Sequence, residues 1–245
     1  MSIKKHIPNT FTLLNLLSGL LAIVEIFNGY YDHAFYFVCL GIFFDYWDGF
    51  AARKLDVSSE LGLQLDSLAD MVTSGVVPGL MMFKLFEFIQ AEAPDYMLTD
   101  DTYYMGFVPY LGFLITLASA YRLANFNIDE RQTENFIGLP TPANALLIMS
   151  IPMIQYADYY QWLTDLLYNP YVLLGITLVS TYLLNAEIVL FSLKIKEFSW
   201  EKSKLQIGFV LFSIVLLVFF QVVALPLIIL SYILISIVVN VAKAK

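Results

Sequence analysis

The chain has 245 residues, 59% hydrophobic and only 14% charged, with a formal net charge of −8 and a mean hydropathy of +0.72. A soluble domain of this length cannot cover so much apolar surface, and nothing in an acidic chain of this kind asks for a nucleic-acid partner. The single cysteine, Cys39, lies in an apolar run, which excludes an intrachain disulfide and a cysteine-based zinc site.

Apolar runs of about 18–22 residues recur along the sequence and predict an all-α polytopic membrane protein with about eight transmembrane helices. The first is expected from Thr10 to Phe27. Lys4 and Lys5 before it resemble the start of a signal peptide, but the stretch is too long and no small-x-small site follows, so it reads as an anchor. Span 2 is expected over His33–Lys54 and span 3 over Gly62–Gln90, interrupted by Pro78. An acidic, aromatic outer loop follows at 91–105. Span 4 covers Phe107–Phe126, and a polar loop, Asn127–Gly138, leads to span 5 at Thr141–Tyr156. Spans 6, 7 and 8 are expected at Tyr171–Leu193, Leu205–Val223 and Leu227–Val241, with Pro226 marking the last turn. Two units result: a core at 1–193 and two further helices at 194–245. His6 and His33 have no metal-ligand neighbour at helical spacing and read as interfacial residues.

Basic residues collect at alternate connections: Lys4, Lys5, Arg53, Lys54, Arg122, Arg131, Lys194, Lys196, Lys202, Lys204, Lys243 and Lys245. The other loops carry Asp32, Glu92, Asp95, Asp100, Asp101, Asp158 and Asp165 instead; only Lys84 breaks the pattern. By the positive-inside rule both termini are expected in the cytoplasm, in a prokaryotic cytoplasmic membrane.

Four acids stand out. Asp45 and Asp48 are spaced i,i+3 at the cytoplasmic end of span 2, and Asp66 and Asp70 i,i+4 at the start of span 3, so each pair shares one helix face. One lone carboxylate inside a membrane costs roughly 2.5–3.5 kcal/mol on insertion scales. Facing pairs build an all-oxygen cage for hard cations such as Mg²⁺ or Mn²⁺, and four carboxylates suggest two ions and phosphoryl transfer. Gly49 and Ala52 keep the neighbouring surface small, Arg53 can grip a pyrophosphate, and Gly62 sits where the chain enters span 3, where a turn glycine is the plain alternative.

Residues 45–70 match the signature D-x2-D-G-x2-A-R-x8-G-x3-D-x3-D at every defined position, and the chain therefore resembles the CDP-alcohol phosphotransferase family. The resemblance implies a helical bundle of six spans around a polar cavity open to the cytoplasm. It implies that Asp45, Asp48, Asp66 and Asp70 hold two divalent cations, with Asp70 as general base. It assigns Gly49, Ala52, Arg53 and Gly62 to the CDP moiety. The stretches Ile7–Gly19, Tyr121–Asn127 and Phe136–Ala143 are similar to the integral-membrane phosphatidylserine synthase branch, which implies CDP-diacylglycerol and L-serine as substrates and a homodimer. In that branch Asn9 and Thr12 would lie near the nucleotide phosphates; N-capping of span 1 is their local alternative. Arg122 is the candidate for the serine carboxylate, with a topological anchor as alternative, and Asn125 and Thr141 are candidate substrate contacts or interhelical packing groups. Arg131 reads as a solvated charge.

Two rivals stand beside this reading. Glycerol 3-phosphate or inositol phosphate could be the acceptor, but a phosphorylated acceptor asks for more Lys and Arg than Arg53, Lys54, Arg122 and Arg131 supply. A divalent-cation transporter could use the acids, but such sites lie near the midplane, often in repeated halves, and residues 150–245 hold no matching cluster.

Overall fold

The computed structural model describes residues 6–92, 106–129, 131, 136–155, 160–191 and 204–243. Lys4, Lys5, Lys194, Lys196, Lys202, Lys245, Asp95, Asp100, Asp101, Asp158, nearly all of the 91–105 loop and the boundary drawn at 193/194 lie outside the described residues. The helices in chain order are α1 His6–Asn28, α2 Tyr31–Leu55, α3 Glu60–Asp70, α4 Val77–Glu92, α5 Phe113–Phe126, α6 Thr141–Ile154, α7 Gln161–Leu167, α8 Pro170–Asn185, α9 Lys204–Phe220 and α10 Ala224–Lys243. Two short strands, β1 Phe136–Ile137 and β2 Val189–Leu190, pair antiparallel.

Among the described residues three helical runs are long and apolar enough to cross a membrane: His6–Asn28, Glu60–Ala91 and Lys204–Ala242. The bent pair α7–α8, angled at 71°, would make a fourth. The eight expected spans are therefore not all of one kind. α2 has the length but carries Asp32, Asp45, Asp48, Arg53 and Lys54. α5 and α6 have 14 residues each, about 21 Å of helix against a hydrocarbon core of about 30 Å. The Lys204–Ala242 run folds back on itself. The rings of Phe209 and Tyr232 lie 5.6 Å apart, where a straight helix would separate them by about 35 Å. The reversal is at Gln221–Val223, with Gln221 at φ +49°. It does not fall at Pro226, which sits in the first turn of α10, where its missing N–H costs nothing.

α1 is the scaffold against which the acidic helices are set. Its buried residues Pro8, Thr12, Asn15, Gly19, Ala22 and Ile26 repeat at alternating steps of four and three, which is one helix face. That face packs along α2, along α3 and against the turn after α3. Small residues let the backbones close up. A Cβ on Gly19 would stand 3.0 Å from the Thr73 Cα, and one on Gly41 would stand 2.6 Å from the Thr73 Cγ2.

Between α3 and α4 the chain forms a π-helical turn, Met71–Val76. Pro78 explains it. Proline has no N–H for the carbonyl of Ser74 and its ring would collide with that carbonyl in a regular helix. The wider turn absorbs both, with the Val77 N–H reaching back to the Val72 carbonyl, and it starts directly after Asp70.

The core lies among α1, α2, α4, α5, α6 and α8, around Met81, Met82, Leu85, Phe86, Ile148 and Met149. α6 is buried on nearly all sides. α8 was expected to run to Leu193 but ends at Asn185, whose side-chain amide donates to the Ala118 carbonyl at 3.0 Å. The chain then turns into β2, so that Gly138, at φ +75°, donates its N–H to the Ile188 carbonyl at 2.8 Å. α9 and α10 dock on this segment through Phe191, Phe209 and Tyr232; the Tyr232 hydroxyl donates to the Phe191 carbonyl at 2.7 Å.

Gly19→Ala tests the tight packing of α1. The rigid Thr73 backbone cannot move aside, so a loss of about 1–3 kcal/mol is expected, read as a lowered Tm of the detergent-solubilised protein. An unchanged Tm would show that α1 is free to slide.

Candidate active site

The four acids come from two helices that α1 holds facing one another. Carboxylate oxygens of Asp45, Asp48 and Asp66 lie within 4.8 Å of one another. Asp48 is buried and accepts a hydrogen bond from the Thr12 hydroxyl at 2.7 Å. Asp70 accepts one from the Asn15 side-chain amide at 3.0 Å. The Asn15 main-chain carbonyl in turn accepts from the Thr73 hydroxyl at 3.0 Å, so α1, α3 and the π turn are tied at one point.

The acids divide two chambers. The first, about 190 Å³, is lined by Asn9, Thr12, Asp48, Gly49, Ala52, Arg53, Gly62 and Asp66, with the α2–α3 linker as its wall. Every residue expected to hold CDP is on this side. Exposed Arg53 folds back over Gly49, where a Cβ would stand 3.2 Å from its Nη1. α2 ends in the left-handed Asp56, and Ser59 caps α3 by accepting from the Gly62 N–H at 3.1 Å. Gly62 is thus inside the first turn of α3 and is no turn glycine. Asn9 and Thr12 are also inside a helix, since α1 begins at His6, which removes N-capping as their role.

The second chamber, about 230 Å³, is lined by Asp45, Asp66, Ser67, Asp70, Arg122, Asn127 and Thr141 among others. Arg122 is 6% exposed. Its Nη1 donates to the carbonyls of Ile137 at 2.7 Å and Leu184 at 2.9 Å, where β1 and the end of α8 meet. A guanidinium so buried is out of the water in which a topological anchor would sit. Among the described residues no carboxylate pairs with it. Thr141, 3% exposed, opens α6 beside it.

Asn125 does not line the chamber of the acids. It is exposed and lines a small crevice with Arg122, Arg131 and Glu187. The chamber of the acids is lined instead by Asn127, the C-cap of α5, whose backbone is still right-handed helical and which lies two residues, about 200°, further round the same helix. Arg131 is exposed but not merely solvated. It pairs with Asp129 at 2.9 Å and Glu187 at 3.4 Å, and these carboxylates raise the guanidinium pKa further.

Comparison with known proteins agrees with this geometry. The family model for CDP-alcohol phosphatidyltransferase matches residues 5–183. The chain belongs to the CDP-alcohol phosphatidyltransferase family. It is 33% identical over 141 residues to the CDP-diacylglycerol–serine O-phosphatidyltransferase of Bacillus subtilis, covering 56% of this chain and 70% of that one. It is 34% identical over 143 residues to the protein of the same name from Methanocaldococcus jannaschii, covering 58% of each. With the archaetidylserine synthase of Methanothermobacter thermautotrophicus the identity is 31% over 147 residues, covering 59% of this chain and 56% of that one. The chain thus spans between about half and 70% of these relatives.

A divalent cation, as the family signature implies, fits the donor set. Among the described residues the three close ligands are all hard oxygens, and Asp66 Oδ1 is buried without a hydrogen-bond partner, an expensive state for an anion unless a cation completes it. Asp45, Asp48 and Asp66 would hold it. Asn15, Ser67 and Asn127, which line or brace this site, were not singled out as site residues from the sequence. Asn15 was readable, because it repeats with Thr12 on the buried face of α1. Ser67 had no such signal; only its contact with Asn127, at 2.9 Å, reveals it.

Asp45→Asn, Asp48→Asn and Asp66→Asn are each expected to weaken Mn²⁺ binding at least 10-fold, measured by electron paramagnetic resonance on folded protein, and to abolish turnover. Mn²⁺ affinity at the parent level in any one of them would remove that residue from the ligand set.

Proposed function

We propose that the protein transfers the phosphatidyl group of CDP-diacylglycerol to the hydroxyl of L-serine, giving phosphatidylserine and CMP. One observation carries the choice of acceptor: Arg122, a buried guanidinium with no carboxylate partner among the described residues, lines the same chamber as Asp70. A guanidinium in that state suits a planar carboxylate. A phosphorylated alcohol would need more cationic groups than this chamber offers. The names of the relatives, which differ in lipid but share serine, support the same choice.

In this reading the nucleotide occupies the first chamber. The small surface of Gly49 and Ala52 admits it, and Asn9, Thr12 and Arg53 face its cytidine and diphosphate. Serine enters the second chamber and places its carboxylate on Arg122. Asp70, oriented by Asn15, takes the proton from the serine hydroxyl. The serine oxygen then forms a bond to the lipid-linked phosphorus, and the bond from that phosphorus to the CMP oxygen breaks. Two divalent cations, Mg²⁺ or Mn²⁺, would supply charge neutralisation for the diphosphate and for the departing CMP. Leu63 and Asp66 line both chambers, so this reading brings the lipid-linked phosphorus and serine together at the acids between them. The distribution of basic residues supports a cytoplasmic site with both termini inside. Transport of cations has no such division of labour to account for.

Asp70→Asn is expected to lower kcat by about 10²–10⁴-fold, the usual worth of a general base, with CDP-diacylglycerol binding retained in calorimetry. Parallel loss of binding and rate would make Asp70 a ligand and not a base. Arg122→Lys is expected to raise the KM for serine at least 10-fold and leave the KM for CDP-diacylglycerol within about 2-fold, because an ammonium cannot reproduce the two parallel hydrogen bonds. An acceptor panel of radiolabelled serine, glycerol 3-phosphate and inositol phosphate, with the lipid product identified, tests the reaction itself; a product from the parent enzyme that lacks serine would overturn it.

A further inference from the structure

Asn127 is fixed in one orientation by its neighbours. Its amide nitrogen lies 2.9 Å from Ser67 Oγ. The Ser67 hydroxyl has already given its proton to the Leu63 carbonyl, at 3.2 Å one turn earlier in α3. Ser67 can therefore only accept from Asn127, and the amide must present its nitrogen to the serine and its oxygen elsewhere. That oxygen, Oδ1, is buried and has no hydrogen-bond partner among the described residues. A shielded, unsatisfied acceptor is costly unless a ligand completes it. Asn127 lines the second chamber together with Asp70 and Arg122. The chamber thus offers a cation for a carboxylate, a base for a hydroxyl and a neutral acceptor held in place for a donor, the three groups of an α-amino acid.

We propose that Asn127 Oδ1 receives the ammonium group of the amino-acid acceptor, with Ser67 as the positioning residue that holds the amide. This rests on serine being the acceptor. The amide recognises the ammonium without a charge of its own, so it adds no repulsion to the neighbouring acids. It also separates serine from alcohols that carry a carboxylate but no amine.

The test compares L-serine with 3-hydroxypropionate, which keeps hydroxyl and carboxylate and lacks the ammonium, in purified parent, Asn127→Ala and Ser67→Ala proteins. The parent should prefer serine in kcat/KM by about 10- to 100-fold, the worth of one hydrogen bond to a charged group. Asn127→Ala should raise the KM for serine by a similar factor, leave that for 3-hydroxypropionate and CDP-diacylglycerol unchanged, and so erase the preference. Ser67→Ala frees the amide to rotate and should lower the preference several-fold. An unchanged preference in either variant, or an equal rise in the CDP-diacylglycerol KM, overturns the assignment. A parent enzyme that uses serine while the variants keep its preference sinks only this inference; a parent that does not use serine at all sinks the acceptor reading with it.

Discussion

Two hydrogen bonds from one helix, Thr12 to Asp48 and Asn15 to Asp70, join α1 to both arms of the acid cluster. They answer the central physical problem of the molecule. Four carboxylates must stand close together inside an apolar bundle, where each is expensive to bury and repels the others. α1 meets the problem by packing along α2 and α3 alike, so that the acids face one another across a gap set by a third element. From Thr12 to Ala22 its side chains on that face are small or polar, which allows close packing and supplies donors at the right depth.

The π turn after Asp70 belongs to the same solution. Pro78 forbids a regular helix at that point, and the wider turn brings Thr73 onto the main chain of Asn15 and against Gly19 and Gly41. A strain that begins with one proline in the apolar half of the run is thus resolved beside the acids. The far end of the site depends on a different device. Arg122 reaches the carbonyls of Ile137 and Leu184, and these are brought together only because a two-residue strand pair joins the loop before α6 to the segment after α8. The guanidinium is held by neutral acceptors, which fix its position and leave its charge for a ligand.

In the proposed reading the two chambers divide the substrates. The side with the glycine, alanine and exposed arginine of α2 is the more open and would take the nucleotide. The side with Arg122, Thr141 and Asn127 is more enclosed and would take the amino acid. Asp66 lines both, which puts the acid cluster between the two.

The sequence by itself determined the membrane class, the pairing of the acids on their helix faces and the residues that gather in the first chamber, because most of this rests on local information: apolar run length, helical spacing within one span, and a signature confined to 26 residues, 45–70. It also contained the polar face of α1, whose steps of four and three place Asn15 beside Thr12. What it did not determine depends on contacts between distant segments. The end of α8 at Asn185 is decided by strand pairing with Phe136–Ile137, the hairpin at Gln221 by the packing of Phe209 on Tyr232, and the burial of Arg122 by carbonyls from two other elements. Asn125 and Asn127 are equivalent in composition and two residues apart. They point to opposite sides of the end of α5, about 200° apart, and only the packing of that helix end on α3, where Asn127 meets Ser67, decides which of them lines the chamber of the acids.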